Sequence, residues 1–331
     1  MTAGSLPGVS VVIPARDNRP LLERFLPILF ASLKGYGAPT EVVVVDDGSS
    51  DGTAEFLAQE HPEARVVSSA SGMGLPGLGF PGACNLGARE ARHEALLFLN
   101  SDVEVEEGFL LPLAESLLGE GIFGVAPAIF DVGASGDRPP RCESIAEVRF
   151  RRGVFEAEPW WDRPLPDAPL YVFYAPAAAL LVWRDKFEHL GGFDSLFAPY
   201  SWEDVDLCYR AWRSGWRVVV TPRSRVKHYR SSTVLRTFEA DERAIITHRN
   251  QLLVVWKDAT DARLVAAHLA HLPLHLGAAL VRGRWWYWRA VGSALARLPA
   301  AWRGRRRIGA YAVSDREVLE LASVPRPVAG L

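Results

Sequence analysis

Charge of one sign is what this 331-residue chain lacks most plainly: 37 Lys and Arg stand against 39 Asp and Glu, leaving a formal −2. No overall field therefore steers it to nucleic acid. Cysteine is scarce. Cys84, Cys142 and Cys208 are too few and too scattered for a disulfide framework or a four-ligand zinc site, which fits a reducing compartment. The opening MTAGSLPGVS has neither a basic n-region nor an apolar h-region, so no signal peptide is expected. The glycine-rich stretch Gly72–Gly87 contains no GKS or GKT and is no Walker A loop. It does not follow the first strand either, so it is a weak dinucleotide fingerprint. The segment Pro14–Pro20 lacks the glycine- and lysine-rich loop expected of a nucleotidyltransferase. Apolar residues at 49% exclude disorder as the main state, and the length suggests about two domains.

Three short apolar runs, Val9–Pro14, Glu41–Asp46 and Ala95–Asn100, read as buried strands. Helical patterns at Arg19–Lys34, Gly52–Gln59 and Gly82–Arg92 separate them, with Pro27 a candidate kink. This alternation indicates an open α/β sheet with right-handed crossovers. Residues 131–169, rich in Gly, Pro and Arg, read as an insertion with short strands over the ligand crevice. Tyr171–Trp183 and Val218–Pro222 resume as strands.

Ligands of such sheets sit outside the carboxyl ends of the strands. Those ends carry Pro14-Ala15-Arg16-Asp17, Asp46-Asp47-Gly48-Ser49 and Asn100-Ser101-Asp102. The acids after the valine run serve either as ordinary caps of the next helix or as acceptors for a base or ribose. Asp102 taken alone is a turn aspartate, but a carboxylate at a strand end also suits a hard divalent cation. In Trp202-Glu203-Asp204-Val205-Asp206, helical spacing puts three acids in a first turn, where the helix dipole favours them. Three acids exceed what capping needs, and crowded carboxylates can raise one pKa enough to make a general base. Trp202 offers an apolar face to a sugar ring. His228, alone, would be structural; beside Asp102 it becomes a candidate second metal ligand.

Together these runs resemble glycosyltransferase family 2 over about residues 8–255. The carriers are Val11-Val12-Ile13-Pro14-Ala15-Arg16-Asp17-Asn18, Val45-Asp46-Asp47-Gly48-Ser49-Ser50-Asp51-Gly52-Thr53, Phe80–Gly87, Asn100-Ser101-Asp102, Gly191-Gly192-Phe193-Asp194, Trp202-Glu203-Asp204 and His228. The resemblance implies an α/β GT-A fold: a Rossmann-like, mostly parallel sheet flanked by helices, with a C-terminal helical extension. It implies a transferase domain at 8–255, an extension at 256–331, and inverting transfer of a sugar from a nucleotide-diphosphate donor. By that likeness Pro14, Ala15, Arg16, Asp47, Gly82, Asn85, Asn100 and Ser101 contact the nucleotide-sugar. Trp202 and Glu203 contact the acceptor, Asp204 is the base, and Asp102 and His228 hold Mg²⁺ or Mn²⁺. Asn100 departs from the family's acidic DxD position, removing one charge near the diphosphate. That departure keeps an inactive nucleotide-sugar or glycan-binding module as the alternative. The subgroup most resembled is bacterial rhamnosyltransferase-like, which implies a glycan or lipid-linked acceptor in surface polysaccharide assembly.

Acids are also missing locally. Residues 262–314 contain no Asp or Glu, but hold Arg263, Arg282, Arg284, Arg289, Arg297, Arg303, Arg305, Arg306 and Arg307 among Trp285, Trp286, Trp288 and Trp302. Leu264–Val281 is close to the minimum length for a transmembrane span but is interrupted by Pro273, His268, His271 and His275. Helices lying at a membrane surface are the expectation, with a cap packed on the catalytic domain as the alternative and nucleic acid disfavoured. That places the protein in the cytoplasm, peripheral on the inner face of the cell membrane.

Overall fold

Val42, Val43, Val44 and Val45 are all buried, which neighbouring strand residues achieve only when layers cover both faces of their sheet. The computed structural model describes residues 5–69, 77–161, 163–230, 233–307 and 312–328, without the side chains at 233, 235, 306 and 307. Part of the glycine-rich stretch, Gly72–Pro76, and the side chains of Arg306 and Arg307 thus lie outside the described residues.

The first half runs β1 (Val9–Ala15), α1 (Arg19–Leu33), β2 (Thr40–Asp46), α2 (Thr53–Glu60), β3 (Ala64–Ser68), α3 (Gly79–Glu90), β4 (Ala95–Leu99), β5 (Val103–Val105), α4 (Leu110–Leu117) and β6 (Ile122–Asp131). An insertion follows, with β7 (Arg141–Cys142) and a hairpin of β8 (Ala146–Arg151) and β9 (Val154–Pro159). Next come β10 (Leu170–Tyr171), β11 (Ala179–Trp183), α5 (Arg184–His189), α6 (Glu203–Arg213), β12 (Arg217–His228), α7 (Thr233–Thr237) and α8 (Ala240–Asp258). The chain closes with α9 (Ala262–Val281), α10 (Trp285–Arg307), α11 (Asp315–Ala322) and β13 (Arg326–Pro327).

The central sheet is ordered β13-β10-β12-β6-β11-β4-β1-β2-β3. It is mixed but mostly parallel: β1 pairs β2 and β4, β2 pairs β3, and β6 pairs β12 in parallel, while β11 runs antiparallel between β4 and β6. Strand periodicity splits the apolar residues between two layers. Val12, Val43, Val45 and Phe98 face a core shared with α3, α6 and α8. Val11, Ile13, Val44 and Leu97 face one shared with α1 and α4. Each such side chain contributes about 1.5–3 kcal/mol on leaving water. The register Ala15 opposite Asp46, with Val12 opposite Phe98, brings the carboxyl ends of β1, β2 and β4 to one edge.

Several expectations shift. The run Tyr171–Trp183 is not one strand: Pro176, which cannot donate to a ladder, lies in the gap between β10 and β11. The strand expected at Val218–Pro222 extends to His228 and passes Pro222 by a register shift between Thr221 and Arg225. Helix α3 begins at Gly79, before the expected Gly82. Both α1 and α9 continue through their internal prolines, Pro27 and Pro273. The boundary expected at 255/256 falls inside α8. Beyond it, Val291, Ala294 and Val318 join the same core as the sheet, and β13 adds an edge strand to β10. Asp315 ties this end down: it accepts from the Tyr209 hydroxyl at 2.6 Å and the Thr260 amide at 2.6 Å, and pairs with buried Arg213.

Candidate active site

A cleft of about 1000 Å³ opens at the carboxyl edge of the sheet. Because β1, β2 and β4 are parallel neighbours, their polar ends converge there: Pro14, Ala15, Arg16, Asp47, Asn100, Ser101 and Asp102 all line it. Asn18, after β1, donates to the Ser101 hydroxyl at 2.8 Å and so fastens two of these ends together. Asp47 is nearly buried. Its carboxylate accepts from the Ser69 hydroxyl (2.8 Å) and from the amides of Leu78 (2.8 Å) and Gly79 (3.0 Å). It therefore holds the entrance of α3 as well as lining the cleft. A Cβ on Gly77 would lie 2.4 Å from both Asp47 and Arg16, so that close passage requires glycine.

Two expected contacts are not on the cleft. Gly82 turns away from it, and a Cβ there would lie 2.7 Å from the Cβ of Leu78. Asn85 spends both ends of its amide on Phe193, donating to its carbonyl at 2.7 Å and accepting from its amide at 3.0 Å. It locks the Gly191–Asp194 turn to α3. The physical reason is helical phase: with α3 starting at Gly79, the residues that line the cleft are Gly79, Phe80 and Ala83.

Trp202, Glu203 and Asp204 line the same cleft at the start of α6. The approach is strained. Ser201 and Trp202 have φ of 78° and 72°, a left-handed conformation that costs a non-glycine residue about 1–3 kcal/mol. Asn250, fully buried on α8, restrains it by donating to the carbonyls of Phe197 (2.7 Å), Tyr200 (2.9 Å) and Ser201 (2.7 Å). Arg249 donates to Ala198 at 2.7 Å. Asp204 is half-buried, and its oxygens accept from the amides of Val205 (2.8 Å) and Ala177 (3.4 Å). Burial raises its pKa to about 6, against those amides. Burial, then the charge of Asp204, pushes Glu203 up further, and its Oε2 is buried without a hydrogen-bond partner among the described residues. Asp206, the third acid, points into the protein.

Asp102 and His228 also meet. The His228 Nε2 lies 3.3 Å from Asp102 Oδ1, and its Nδ1 lies 2.7 Å from Glu143 Oε1. Glu143 in turn pairs with Arg230, whose Nε also reaches Asp131 at 3.3 Å. Burial lowers the His228 pKa, but the two carboxylates outweigh it and carry the imidazole to about 10. Asp102 Oδ2 and Asn100 Oδ1 are buried and have no hydrogen-bond partner among the described residues. Asp102 beside an imidazole whose far nitrogen is held by a carboxylate, with the Asn100 oxygen lining the same cleft, is a donor chemistry that fits a divalent cation. Glu143, Arg230 and Asn250 were not legible in the sequence. Glu143 sits in the insertion, where no periodicity marks it, and Asn250 is one of many polar residues along α8. Only the helical phase of Asn250, inward among Leu252, Leu253 and Val254, could have drawn notice.

Residues 10–188 match the family model described as "Glycosyl transferase family 2", more than half of the chain, and the protein belongs to that family. It is 29% identical to a pre-mycofactocin glycosyltransferase of Mycobacterium tuberculosis over 96% of this chain and 60% of that protein. It is 28% identical to an N-acetylglucosaminyl-diphospho-decaprenol L-rhamnosyltransferase of the same organism, over 68% of this chain and 77% of the relative. The chain thus spans about three fifths of the length of the first of these relatives. Among solved structures, GalNAc-T7 with UDP, GalNAc and Mn²⁺ superposes with a TM-score of 0.60 at 18% identity, covering 78% of this chain and 49% of that one. A mannosyltransferase of Pyrobaculum calidifontis in complex with GDP-Man and Mn²⁺ gives 0.54 at 18% identity, covering 89% of this chain and 76% of that one. At that identity the two structures establish the shared GT-A fold alone.

Proposed function

Because the chain is a member of glycosyl transferase family 2, we propose that it transfers a sugar from a nucleotide-diphosphate donor to a hydroxyl of a glycan or lipid-linked acceptor, with inversion. Rhamnosyl or hexosyl transfer in bacterial surface polysaccharide assembly is the setting the reading favours. The name of the decaprenol-dependent relative supports it. The observation that carries the reading is one half-buried carboxylate, Asp204, lining the same cleft as Asn100, Asp102 and His228.

Asp204 takes the proton of the acceptor hydroxyl as that oxygen bonds to the anomeric carbon. The bond from that carbon to the diphosphate oxygen breaks, and the nucleoside diphosphate leaves with the electron pair. Attack opposite the leaving group inverts the centre without a covalent enzyme intermediate. Burial keeps Asp204 basic enough to accept a proton, and the Asn250 clamp keeps it in place. The ends of β1 and β2, with Arg16 and Asp47, bound the donor's nucleoside side of the cleft, and Trp202 presents a ring to the acceptor sugar. Asp102, His228 and Asn100 would hold Mg²⁺ or Mn²⁺, which when bound supplies positive charge to the departing diphosphate.

The test is a panel of nucleotide sugars screened by thermal shift, followed by transfer assays with Mn²⁺ on soluble and lipid-linked acceptors. Asp204→Asn should lower kcat by about 10²-fold or more and leave donor affinity unchanged. Equal rates in variant and parent would sink the assignment. Donor binding by the parent with no hydrolysis or transfer would turn the reading to a binding module.

A further inference from the structure

The outward side of α9 carries no charge from Ala266 to Val281. Its water-facing residues include Leu269, Pro273, Leu274 (66% exposed), Leu280 and Val281 (88%). At ~100° per residue these cover roughly 140° of the circumference, the arc that a helix facing water fills with polar side chains. The polar groups of α9 point the other way. His268 bonds the Gly153 carbonyl at 2.7 Å and accepts from the Trp256 indole at 2.7 Å, and His275 reaches the Arg152 carbonyl at 2.8 Å. On α10 a second set is exposed: Trp285 (63% exposed), Trp288, Leu295 and Trp302 (56%). Arg263, Arg282, Arg284, Arg289 and Arg303 are exposed around these stripes, and among the described residues none of them pairs with a carboxylate. The remaining described arginines of the segment turn inward: Arg297 bonds Ser293, and Arg305 bonds the carbonyls of Trp256 and Ala259.

We propose that the outer faces of α9 and α10 are a docking surface for an anionic bilayer, on which both helices lie flat at headgroup depth. Apolar stripes edged by arginine match an acyl boundary beneath anionic headgroups, and exposed tryptophans suit that depth. Helix α9 is long and apolar enough to span a membrane. Its histidines, however, are bonded to the β8–β9 hairpin and to α8, and a span would strip those partners away. The docking surface also adjoins the cleft. Trp286, next to the exposed Trp285, packs its ring 4.8 Å from that of His248, two residues before the Asn250 clamp. The hairpin beneath α9 supplies Val148, Phe155 and Ala157 to the cleft wall. A docked molecule would thus hold its cleft close to the headgroups.

The full chain should co-sediment with phosphatidylglycerol/phosphatidylethanolamine vesicles at low salt, weakly with phosphatidylcholine, and come off as salt rises. Arg282→Gln with Arg284→Gln should weaken partitioning to the anionic vesicles roughly thirtyfold. Leu274→Glu should weaken it at least tenfold on either lipid. Both sites are exposed, so thermal melts should match the parent and exclude misfolding as the cause. Absence of vesicle binding, or variants that bind like the parent, would overturn the proposal. So would protein released only by detergent, which means a span, or a dimer in light scattering that Leu274→Glu dissolves, which means a second copy covers the face. Binding is read without donor or acceptor, so its failure leaves the transfer reading intact, and the reverse.

Discussion

Glu203, Asp204 and Asp206 share the first turn of one helix, yet they have opposite surroundings. Asp206 is fully buried between cations: Arg210 Nη2 lies 2.5 Å away and Lys257 pairs with its other oxygen. Burial pushes its pKa up, but these charges win and hold it down to about 2. Among the described residues, no cation pairs with Glu203 or Asp204. Burial outweighs the backbone amides that oppose it and drives both upward. What separates the depressed acid from the two raised ones is the partner it is given, since burial is common to all three. A fully paired carboxylate can only hold the fold; one left short of partners keeps the capacity to take a proton.

The largest effect is expected on the structural side. Asp206→Ala leaves buried Arg210 without its counter-charge and Lys257 with only Asp194 and Asp258, and should cost about 3–5 kcal/mol, read from urea unfolding. The pH sign follows from its depressed pKa. The stabilisation is present above the unfolded value of about 4 and disappears as pH falls toward 2. The variant should therefore lose much of the parent's acid destabilisation in that window. A variant as stable as the parent would erase the distinction between the two acids.

Asp204 should behave in the opposite sense. Its raised pKa makes the ionised form a burden on the fold above that pKa, so Asp204→Asn should hold or slightly raise the melting temperature at pH 7 while removing activity. In the parent, kcat should fall about tenfold per pH unit below pH 6, as the base becomes protonated. A flat profile from pH 7 to pH 5 would point to another proton acceptor.

The smallest effect should come from Glu143, which acts through His228. Glu143→Gln keeps the shape but weakens the hold on Nδ1. The Mn²⁺ needed for half-maximal nucleoside diphosphate binding should rise about tenfold, against loss of the metal effect in Asp102→Ala or His228→Ala. Calorimetry with and without Mn²⁺ checks all three. A metal effect untouched in every variant would move the cation elsewhere.

Much of the cleft was legible because it is local. A valine run followed by Asp46-Asp47, or a leucine run followed by Asn100-Ser101-Asp102, announces both a strand and what hangs at its end. Phase and partners were less legible. The Asn85 position reads as a cleft residue, but the cleft face of α3 is Gly79, Phe80 and Ala83, and the Asn85 amide bonds Phe193 instead. Asp206 looked like the equal of Asp204 until Lys257, 51 residues on, was seen beside it. The β3 edge strand, ARVVS, leaves little trace in the sequence because five residues carry too little periodicity.

By itself the sequence determined the alternation of strands and helices, the polar strand ends, the crowded acids of α6 and the acid-free, arginine- and tryptophan-rich stretch after residue 261. These depend on periodicities of two and 3.6 residues and on local composition, which the chain carries wherever it folds. Only the tertiary structure decided which acid is paired, that Glu143 stands behind His228, that Asn250 clamps the strained loop, and which arginines face outward. Those outcomes rest on contacts between residues tens to hundreds of positions apart. Such contacts form when particular helix faces are pressed together, and no local pattern encodes which group will arrive opposite another.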